Sequence, residues 1–576
     1  MWGTTWGIAD ATPAHGRREH ETSELGYLGP VVQHGEVSNP FDLTAWITAE
    51  PDEHNRAVLI GWQRDGIPDP LPAPLRFGTA GLRGPMGPGP GCMNRVMVRI
   101  AARALGEELV VRGTAERGVV IGHDARVDSA AFAMDSARML TALGVPCILI
   151  DGPAPTPVVA HHGLARRAAA AVVVTASHNP RTDNGYKVYW SDGAQITSPI
   201  DQHIEQRMDI ATPPTEGELA APGQIRTITV RQALAEYLGA VIPPPDGSEP
   251  VSVVYTALCG VGAEAVDMAF ATAGLAPPVH VEDQRYPDGS FPGLPFPNPE
   301  EPGTLDRAMA VADAASIDLV LANDPDADRL GVAVRGPDGW RQLTGDEIGV
   351  LLCDHLIATA GGPGHLVASS VVSGSMVPAL CRHHGVEHVT TLTGFKWIMR
   401  PAIDRTDVAW LFGYEEALGY SVSDAVRDKD GISAAVAFAR AVARLGGRGV
   451  NVLEKLDDLA ITLGTFTTTA LNVRADPDVV RQAMDRLRTD PPVTLGGIPV
   501  ALVRDHAEEP EPLSTDLVVL YLGEGGRVAI RPSGTEPKVK AYLEWRDPPP
   551  GDPALQRTEA IERLTAIAAE VAGWFE

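Results

Sequence analysis

The chain has 576 residues, 44% of them hydrophobic and 21% charged, which is too long for one hydrophobic core and implies about three to five folded domains. Its formal net charge of −27 excludes nucleic acid and anionic membrane as partners, because both demand a cationic footprint. Small phosphorylated ligands stay open, since a few local cations, backbone amides and a metal suffice to hold them.

Residues 1–38 are polar and without periodicity and read as a disordered leader or a start codon assigned too early. Short β-branched runs then recur at Gly118 to Ile121, Cys147 to Ile150, Ala171 to Val174, Val251 to Tyr255, Asp318 to Leu321 and Val408 to Phe412. Helical stretches separate them, a pattern that predicts α/β units with parallel or mixed sheets. Helices are predicted over Asp346 to Ala358, Ser433 to Leu445 and Leu555 to Phe575, the last with Leu564, Ile567, Ala568, Val571 and Trp574 on one stripe. Pro- and Gly-rich clusters at 213–223 and 241–250 read as boundaries or turns, and the one at 291–303 as a long loop. Near residue 460 the texture turns from helix-rich to strand-rich, which predicts a separate α+β module. No apolar run reaches the roughly 18 residues of a membrane span. The cysteines have no C-x-x-C spacing, so neither a disulfide framework nor a zinc site is expected. The expected location is the cytoplasm.

Four segments share one form, an apolar strand ending in a polar or glycine-bearing loop: TASHNP after AAVVV, NDPDADR after IDLVLA, YEEALGY after VAWLFG, and RPSGTEP after RVAI. In open α/β sheets ligands bind outside the carboxyl ends of strands, so a site is expected where these loops meet. Ser177 stands between small residues, with His178 and Asn179 beside it. Alone, this fits a turn or cap as well as a nucleophile. Asp324, Asp326 and Asp328 alternate at i, i+2 and i+4, which in a curled loop aims three carboxylates at one point where a hard cation relieves their repulsion. A calcium EF-hand does not fit, because the position for its glycine is Arg329 and that for its glutamate is Arg335. Three carboxylates leave room for a phosphate oxygen in a magnesium shell, with Arg329 beside it. Arg531, Ser533, Gly534 and Thr535 read as an anion cradle. Glu415 and Glu416 are placed to accept from vicinal sugar hydroxyls.

Seven segments in order carry a family resemblance: FGTAGLRG (77–84), TASHNP with NGYKVY (175–189), DPDADR (324–329), TLTGFKW (391–397), YEEALGY (414–420), RDKDG (427–431) and RPSGTEPK (531–538). Together they resemble the α-D-phosphohexomutase family of phosphoglucomutases and phosphomannomutases, from about residue 40 to the end. YEEALGY with RDKDG resembles the branch that includes phosphopentomutase and glucose-1,6-bisphosphate synthase. The resemblance implies three related α/β domains with mixed sheets and a smaller C-terminal α+β domain around a central cleft, here 39–208, 209–333, 334–459 and 460–576. It implies that Ser177 is a phosphoserine and that Asp324, Asp326 and Asp328 hold Mg²⁺ together with a Ser177 phosphate oxygen. Lys187 resembles the family's general acid/base candidate, and Arg83, His178 and Arg329 its other active-site groups. Thr393 and Gly394 match the sugar-orienting loop and Glu415 the sugar-hydroxyl loop. Lys429, Arg531, Ser533, Gly534 and Thr535 match the groups that hold the non-reacting phosphate.

The activity implied is interconversion of hexose 1-phosphate and 6-phosphate, for glucose or mannose, with a sugar bisphosphate as activator and small sugar phosphates as the partners of a monomer or homodimer. Ala417 stands where many members carry serine, which leaves a phosphopentomutase as the alternative. A metal-dependent sugar phosphatase and a non-catalytic sugar-phosphate binder are the readings from other classes.

Overall fold

The computed structural model describes residues 42–66, 74–78, 81–247, 250–510, 514–532 and 538–575. The expected leader lies outside these. The run AAVVV forms the strand Ala170–Val174, buried along its whole length, as a continuous apolar run requires at the centre of a sheet covered on both faces. It pairs in parallel with Val119–His123 and antiparallel with Asp183–Trp190. The complete first sheet has seven strands in the order Phe77–Gly78, Gly81–Pro85, Asp183–Trp190, Ala170–Val174, Val119–His123, Cys147–Pro153 and Arg226–Thr229. Its last strand pairs in parallel with Cys147–Pro153, so the first layer continues beyond the boundary expected at residue 208.

The second sheet is again centred on a buried apolar run, Leu319–Ala322, which is parallel to Val254–Thr256 and antiparallel to Gly331–Gly336. Gly339–Gln342 and Val279–His280 form its edges. A third sheet is ordered Glu387–Thr391, His365–Ser370, Ala409–Glu415, Gly419–Ser421. These three are mixed sheets. The fourth is antiparallel throughout, in the order Thr465–Arg474, Lys538–Asp547, Gly526–Pro532, Val518–Leu522, Ile498–Asp505, Thr494–Leu495. The change of texture near residue 460 is therefore a real change of architecture.

The predicted helices appear as Gly345–Ala360, Gly431–Gly446 and Pro553–Ala572. The first opens with a reciprocal cap between Thr344 and Glu347, and the second is capped by Asp430. On the last, Leu564, Ile567 and Val571 are buried and Ala568 is partly buried, while Trp574, expected on the same stripe, follows the end of the helix and packs against the same core. The cluster at 291–303 is a loop without helix or strand. Among the described residues no helix is long and apolar enough to cross a membrane.

One continuous apolar core runs from Val120 to Leu463 and joins the first three layers, whereas the fourth module has a core of its own between Val480 and Phe575. The fourth module meets the third through a small patch of Val372, Leu517, Val519, Ala529 and Tyr542. Beside that patch Glu544 accepts from the Ser375 N–H at 2.6 Å and Ser375 Oγ at 2.8 Å, and lies 3.1 Å from Arg527 Nε. Arg527 also donates to the Ser373 carbonyl at 2.6 Å. Removing one member of a buried ion pair leaves the other uncompensated. Glu544→Ala is therefore expected to lower stability by about 3 kcal/mol in urea unfolding and to loosen the fourth module first, as read by limited proteolysis. A change within the error of the wild-type curve would contradict this.

Candidate active site

Ser177 leaves the strand Ala170–Val174 in a turn that carries it to φ 53°, a left-handed conformation that costs a non-glycine residue about 1 kcal/mol or more. Side chains hold that turn. The Ser177 N–H donates to Thr175 Oγ1 at 2.8 Å, and Thr175 Oγ1 donates to Asp124 Oδ2 at 2.7 Å. So fixed, Ser177 Oγ donates to Asp324 Oδ2 at 2.8 Å, with His178 Nδ1 3.2 Å from the same oxygen. Two loops 147 positions apart in sequence therefore meet at one hydrogen bond.

The aspartate loop curls as its alternation predicts. The Ala327 N–H donates to the Asp324 carbonyl at 2.8 Å with Ala327 at φ 57°, and the Arg329 N–H donates to Asp324 Oδ1 at 3.0 Å. Gly260 packs against the bend, where a Cβ would come within 2.4 Å of Pro325 Cα. One carboxylate oxygen from each of Asp324, Asp326 and Asp328 lies within 4.8 Å of the others, and all three residues are fully buried.

Burying three carboxylates together is unfavourable unless cations face them. Lys187, on the strand Asp183–Trp190, donates to Asp326 Oδ2 and to Asp328 Oδ2, each at 2.7 Å. Lys429 Nζ lies 3.4 Å from Asp328 Oδ2, over the ring of Phe395. Burial alone would raise Asp326, but Lys187 and a hydrogen bond from Thr156 Oγ1 hold its carboxyl below the ordinary range. Asp324, with no lysine of its own, is pushed well above that range by burial and then by Asp326 and Asp328. Burial lowers the Lys187 ammonium, yet the two aspartates more than offset this and raise it. His178 is driven well below its usual pKa by burial, then by Arg329 and Arg83, so its imidazole is neutral.

Two buried carboxylate oxygens, Asp326 Oδ1 and Asp328 Oδ1, have no hydrogen-bond partner. Such atoms are costly unless something accepts their charge. All-oxygen ligands converging at this spacing suit a hard cation such as Mg²⁺, so the residues fit the metal that the sequence implied.

The third layer is stitched to this centre. Arg329 bridges to Gly419, and the Leu330 N–H donates to the Leu418 carbonyl at 3.1 Å. Arg329 Nη1 donates to Glu300 Oε2 at 3.3 Å, and the charge of Glu415 acts on both Arg329 and Lys429. Lys429, expected at the non-reacting phosphate, thus has its ammonium at the aspartate trio. Asp428 beside it accepts from Tyr189 Oη at 2.5 Å and Gln195 Nε2 at 2.7 Å, and Asp430 accepts from Tyr237 Oη at 2.7 Å. Arg83 Nη1 donates to Asn179 Oδ1 at 3.4 Å, within the field of Asp326 and Asp328.

Arg531 donates to Thr393 Oγ1, which joins the fourth module to the 391–397 loop expected to orient the sugar. Gly394, at φ 103°, starts the helix Phe395–Ile398. Ser533, Gly534 and Thr535 lie outside the described residues. Glu416 Oε2 accepts from Ser370 Oγ and Ser373 Oγ, each at 3.1 Å, so one of its oxygens is occupied by protein hydroxyls.

Sequence reasoning missed Asp124, Arg126, Thr175, Glu300 and Lys540. The first two sit in HDAR after the strand Val119–His123, the same strand-then-polar form used to find the other loops. Lys540 is the register partner of Arg531, two positions beyond Lys538 on an alternating strand, and period-2 reading of that strand would have placed both lysines on one face.

A buried serine, an aspartate trio and cations gathered from successive α/β layers define an enzyme of the phosphohexomutase class. The chain belongs to the phosphoglucomutase/phosphomannomutase family. Its α/β/α domains I, II and III match residues 74–213, 235–339 and 344–459, and the family's C-terminal domain matches 498–549. The chain is 38% identical to a probable phosphomannomutase of Haemophilus influenzae over 467 residues, 80% of this chain and 94% of that one. It is 33% identical to the phosphopentomutase of Homo sapiens over 546 residues, 86% and 89% of the two chains. The crystal structure of a putative phosphomannomutase from Thermus thermophilus superposes with a TM-score of 0.66 at 26% identity, covering 86% of this chain and all of that one.

Burial, Glu415 and Asp346 push the Glu416 carboxyl up to about 7 from 4.5. The folded state thus keeps a proton that the unfolded chain releases, and this contribution, full below pH about 4.5, is lost as pH rises through about 7. Glu416→Gln removes it. The variant should gain stability relative to wild type between pH 5 and pH 8 by on the order of 2–3 kcal/mol, read as a Tm difference that widens with pH. A constant difference would reject the assignment.

Proposed function

We propose that this enzyme interconverts hexose 1-phosphate and 6-phosphate, on glucose or mannose, by way of phosphorylated Ser177 and a sugar bisphosphate. The observation that carries the reading is the 2.8 Å contact between Ser177 Oγ and Asp324 Oδ2, which puts a hydroxyl at the focus of a buried aspartate trio. A trio so built would hold Mg²⁺ through Asp324, Asp326 and Asp328, and bound there the ion supplies Lewis-acid polarisation of phosphoryl oxygens.

In the first half-reaction the bond between phosphorus and Ser177 Oγ breaks while a bond forms to the free sugar hydroxyl. Ser177 Oγ keeps the electron pair, and we assign the hydroxyl's proton to Lys187 in its amine form, which requires that its ammonium first pass a proton to one of the two carboxylates it contacts, Asp326 or Asp328. Arg329 and Arg83 face the charge that spreads over the phosphoryl oxygens, and neutral His178 contacts the serine oxygen without adding charge. The bisphosphate then reverses in the cleft and returns its other phosphate to Ser177. Arg531 with Ser533, Gly534 and Thr535 holds the distal phosphate in both halves. Thr393, Gly394 and Glu415 orient the sugar, and Lys429 bridges from the sugar loop to Asp328. Four domains and a cytoplasmic location belong to this reading, with the first domain extended from 39–208 to take in the strand Arg226–Thr229.

A second reading, the same chemistry on ribose or deoxyribose 1- and 5-phosphates, is supported by the phosphopentomutase relative and by Ala417, which offers the sugar no hydroxyl. Coupled assays with glucose 1-phosphate, mannose 1-phosphate and ribose 1-phosphate separate the two by kcat/KM.

Ser177→Ala is expected to abolish turnover and the mass increase of one phosphoryl group on incubation with glucose 1,6-bisphosphate. Lys187→Met should cut turnover while leaving that increase measurable. Retained turnover in Ser177→Ala, or release of inorganic phosphate faster than isomerisation, would refute the mutase. Treatment with EDTA should abolish turnover and Mg²⁺ restore it. Mg²⁺ should also raise the Tm of the wild type but not of Asp326→Ala, and equal shifts in both would reject the metal site.

A further inference from the structure

Behind the Ser177 loop lies Arg126, 3% exposed. Its guanidinium donates four hydrogen bonds to backbone carbonyls of that loop. Nη2 reaches the carbonyls of Ser177 and Asn179, both at 2.6 Å, and Nη1 those of Pro180 at 2.7 Å and Asp183 at 3.0 Å. A guanidinium has four hydrogens on these two nitrogens, so the fork is fully used. Nε lies 3.3 Å from Asp124 Oδ2, the same oxygen that accepts from Thr175 Oγ1, the acceptor of the Ser177 N–H. Arg126 and Asp124 therefore grip the serine turn from both sides of its strained residue.

The other face of the guanidinium is covered by domain II. The Phe291 ring, 1% exposed, has its centroid 5.1 Å from Arg126 Cζ. Gly289 packs so closely that a Cβ there would lie 2.3 Å from the Ala125 carbonyl oxygen and 2.7 Å from Arg126 Cα. The loop 285–304, whose Glu300 pairs with Arg329, thus reaches across the interface to the back of the serine turn.

From this we infer that Arg126 is a positioning residue for the phosphoryl transfer. It fixes the Ser177 turn in its left-handed conformation and, through Phe291, locks that turn in register with the aspartate-bearing domain. The inference rests on the phosphoserine reading above. Its physical basis is that a trans peptide directs C=O and N–H oppositely, so anchoring the Ser177 carbonyl on Arg126 also sets the direction of the Ser177–His178 peptide. An unanchored turn would relax toward negative φ and carry Oγ off the line to Asp324. Misplacement by about 1 Å costs roughly 100-fold in rate. Lysine keeps the charge but has neither the plane nor the fourth donor.

The test compares wild type, Ser177→Ala, Arg126→Lys, Arg126→Ala and Phe291→Leu. It measures Tm, kcat, KM and the rate of Ser177 phosphorylation by glucose 1,6-bisphosphate. Arg126→Lys should lose about 100-fold in kcat and a similar factor in phosphorylation rate, with KM within about threefold and a cooperative melt. Millimolar guanidinium chloride should restore part of the lost rate in Arg126→Ala but none in Ser177→Ala. Phe291→Leu, which keeps the guanidinium, should show a smaller loss in kcat with KM unchanged. The inference is overturned by wild-type kcat in a folded Arg126→Lys, or by activity that merely tracks the folded fraction with no guanidinium rescue. Wild-type kcat in Phe291→Leu would overturn the link to domain II. Absence of Ser177 phosphorylation in the wild type would sink the phosphoserine reading itself and this inference with it, a result distinct from the others.

Discussion

Three carboxylates within 4.8 Å of one another in a fully buried setting form the constraint on which the rest of the structure depends. Their repulsion must be offset, and no single layer supplies the charge. Lys187 comes from the first sheet, Arg329 from the loop itself and Lys429 from the third layer. The electrostatic need of one loop thereby fixes where two other layers stand. The same need explains why both buried lysines among the described residues, Lys187 and Lys429, stand here in a protein of strongly negative net charge.

The sheets deliver these groups by a common rule. Each of the first three has an apolar strand at or near its centre whose carboxyl end opens into a polar loop, and the continuous core from Val120 to Leu463 holds those layers together. Burial then tunes the side chains that arrive. It keeps His178 neutral, raises Asp324 and lifts Glu416, while Lys187 stays charged because its two carboxylate partners outweigh its own desolvation.

Much of this was legible in the sequence where a local rule has one outcome. A run such as AAVVV has little choice but a buried strand, and aspartates at every second position in a curled loop must converge. Legibility failed where a side chain's partner is not a neighbour. Arg126 is satisfied by carbonyls 51 to 57 positions away, and backbone acceptors leave no mark in the sequence. The motif that places Lys429 at the distal phosphate carries no sign of its approach to Asp328, where hydrogen bonds from Tyr189, Gln195 and Tyr237 to the flanking aspartates hold the loop. Nor does the sequence show that one oxygen of Glu416 accepts from Ser370 and Ser373, which lie more than forty positions away. The strand Arg226–Thr229, half polar and on a sheet edge, carries too little apolar signal to reveal that it completes the first sheet.

The unequal seams between the layers have a mechanical consequence. Layers one to three share a single core and are cross-tied by buried phenol–carboxylate bonds, so they form a rigid cradle. The fourth module is joined to the third by the patch around Val372, by the group around Arg527 and Glu544, by the Arg557–Asp457 ion pair at 2.6 Å, by Phe466 against the larger core and by Arg531 on Thr393. On the proposed mechanism the bisphosphate turns end over end between the fourth module and the other three, and the seam with the smaller shared apolar patch is the one that can yield at lower cost.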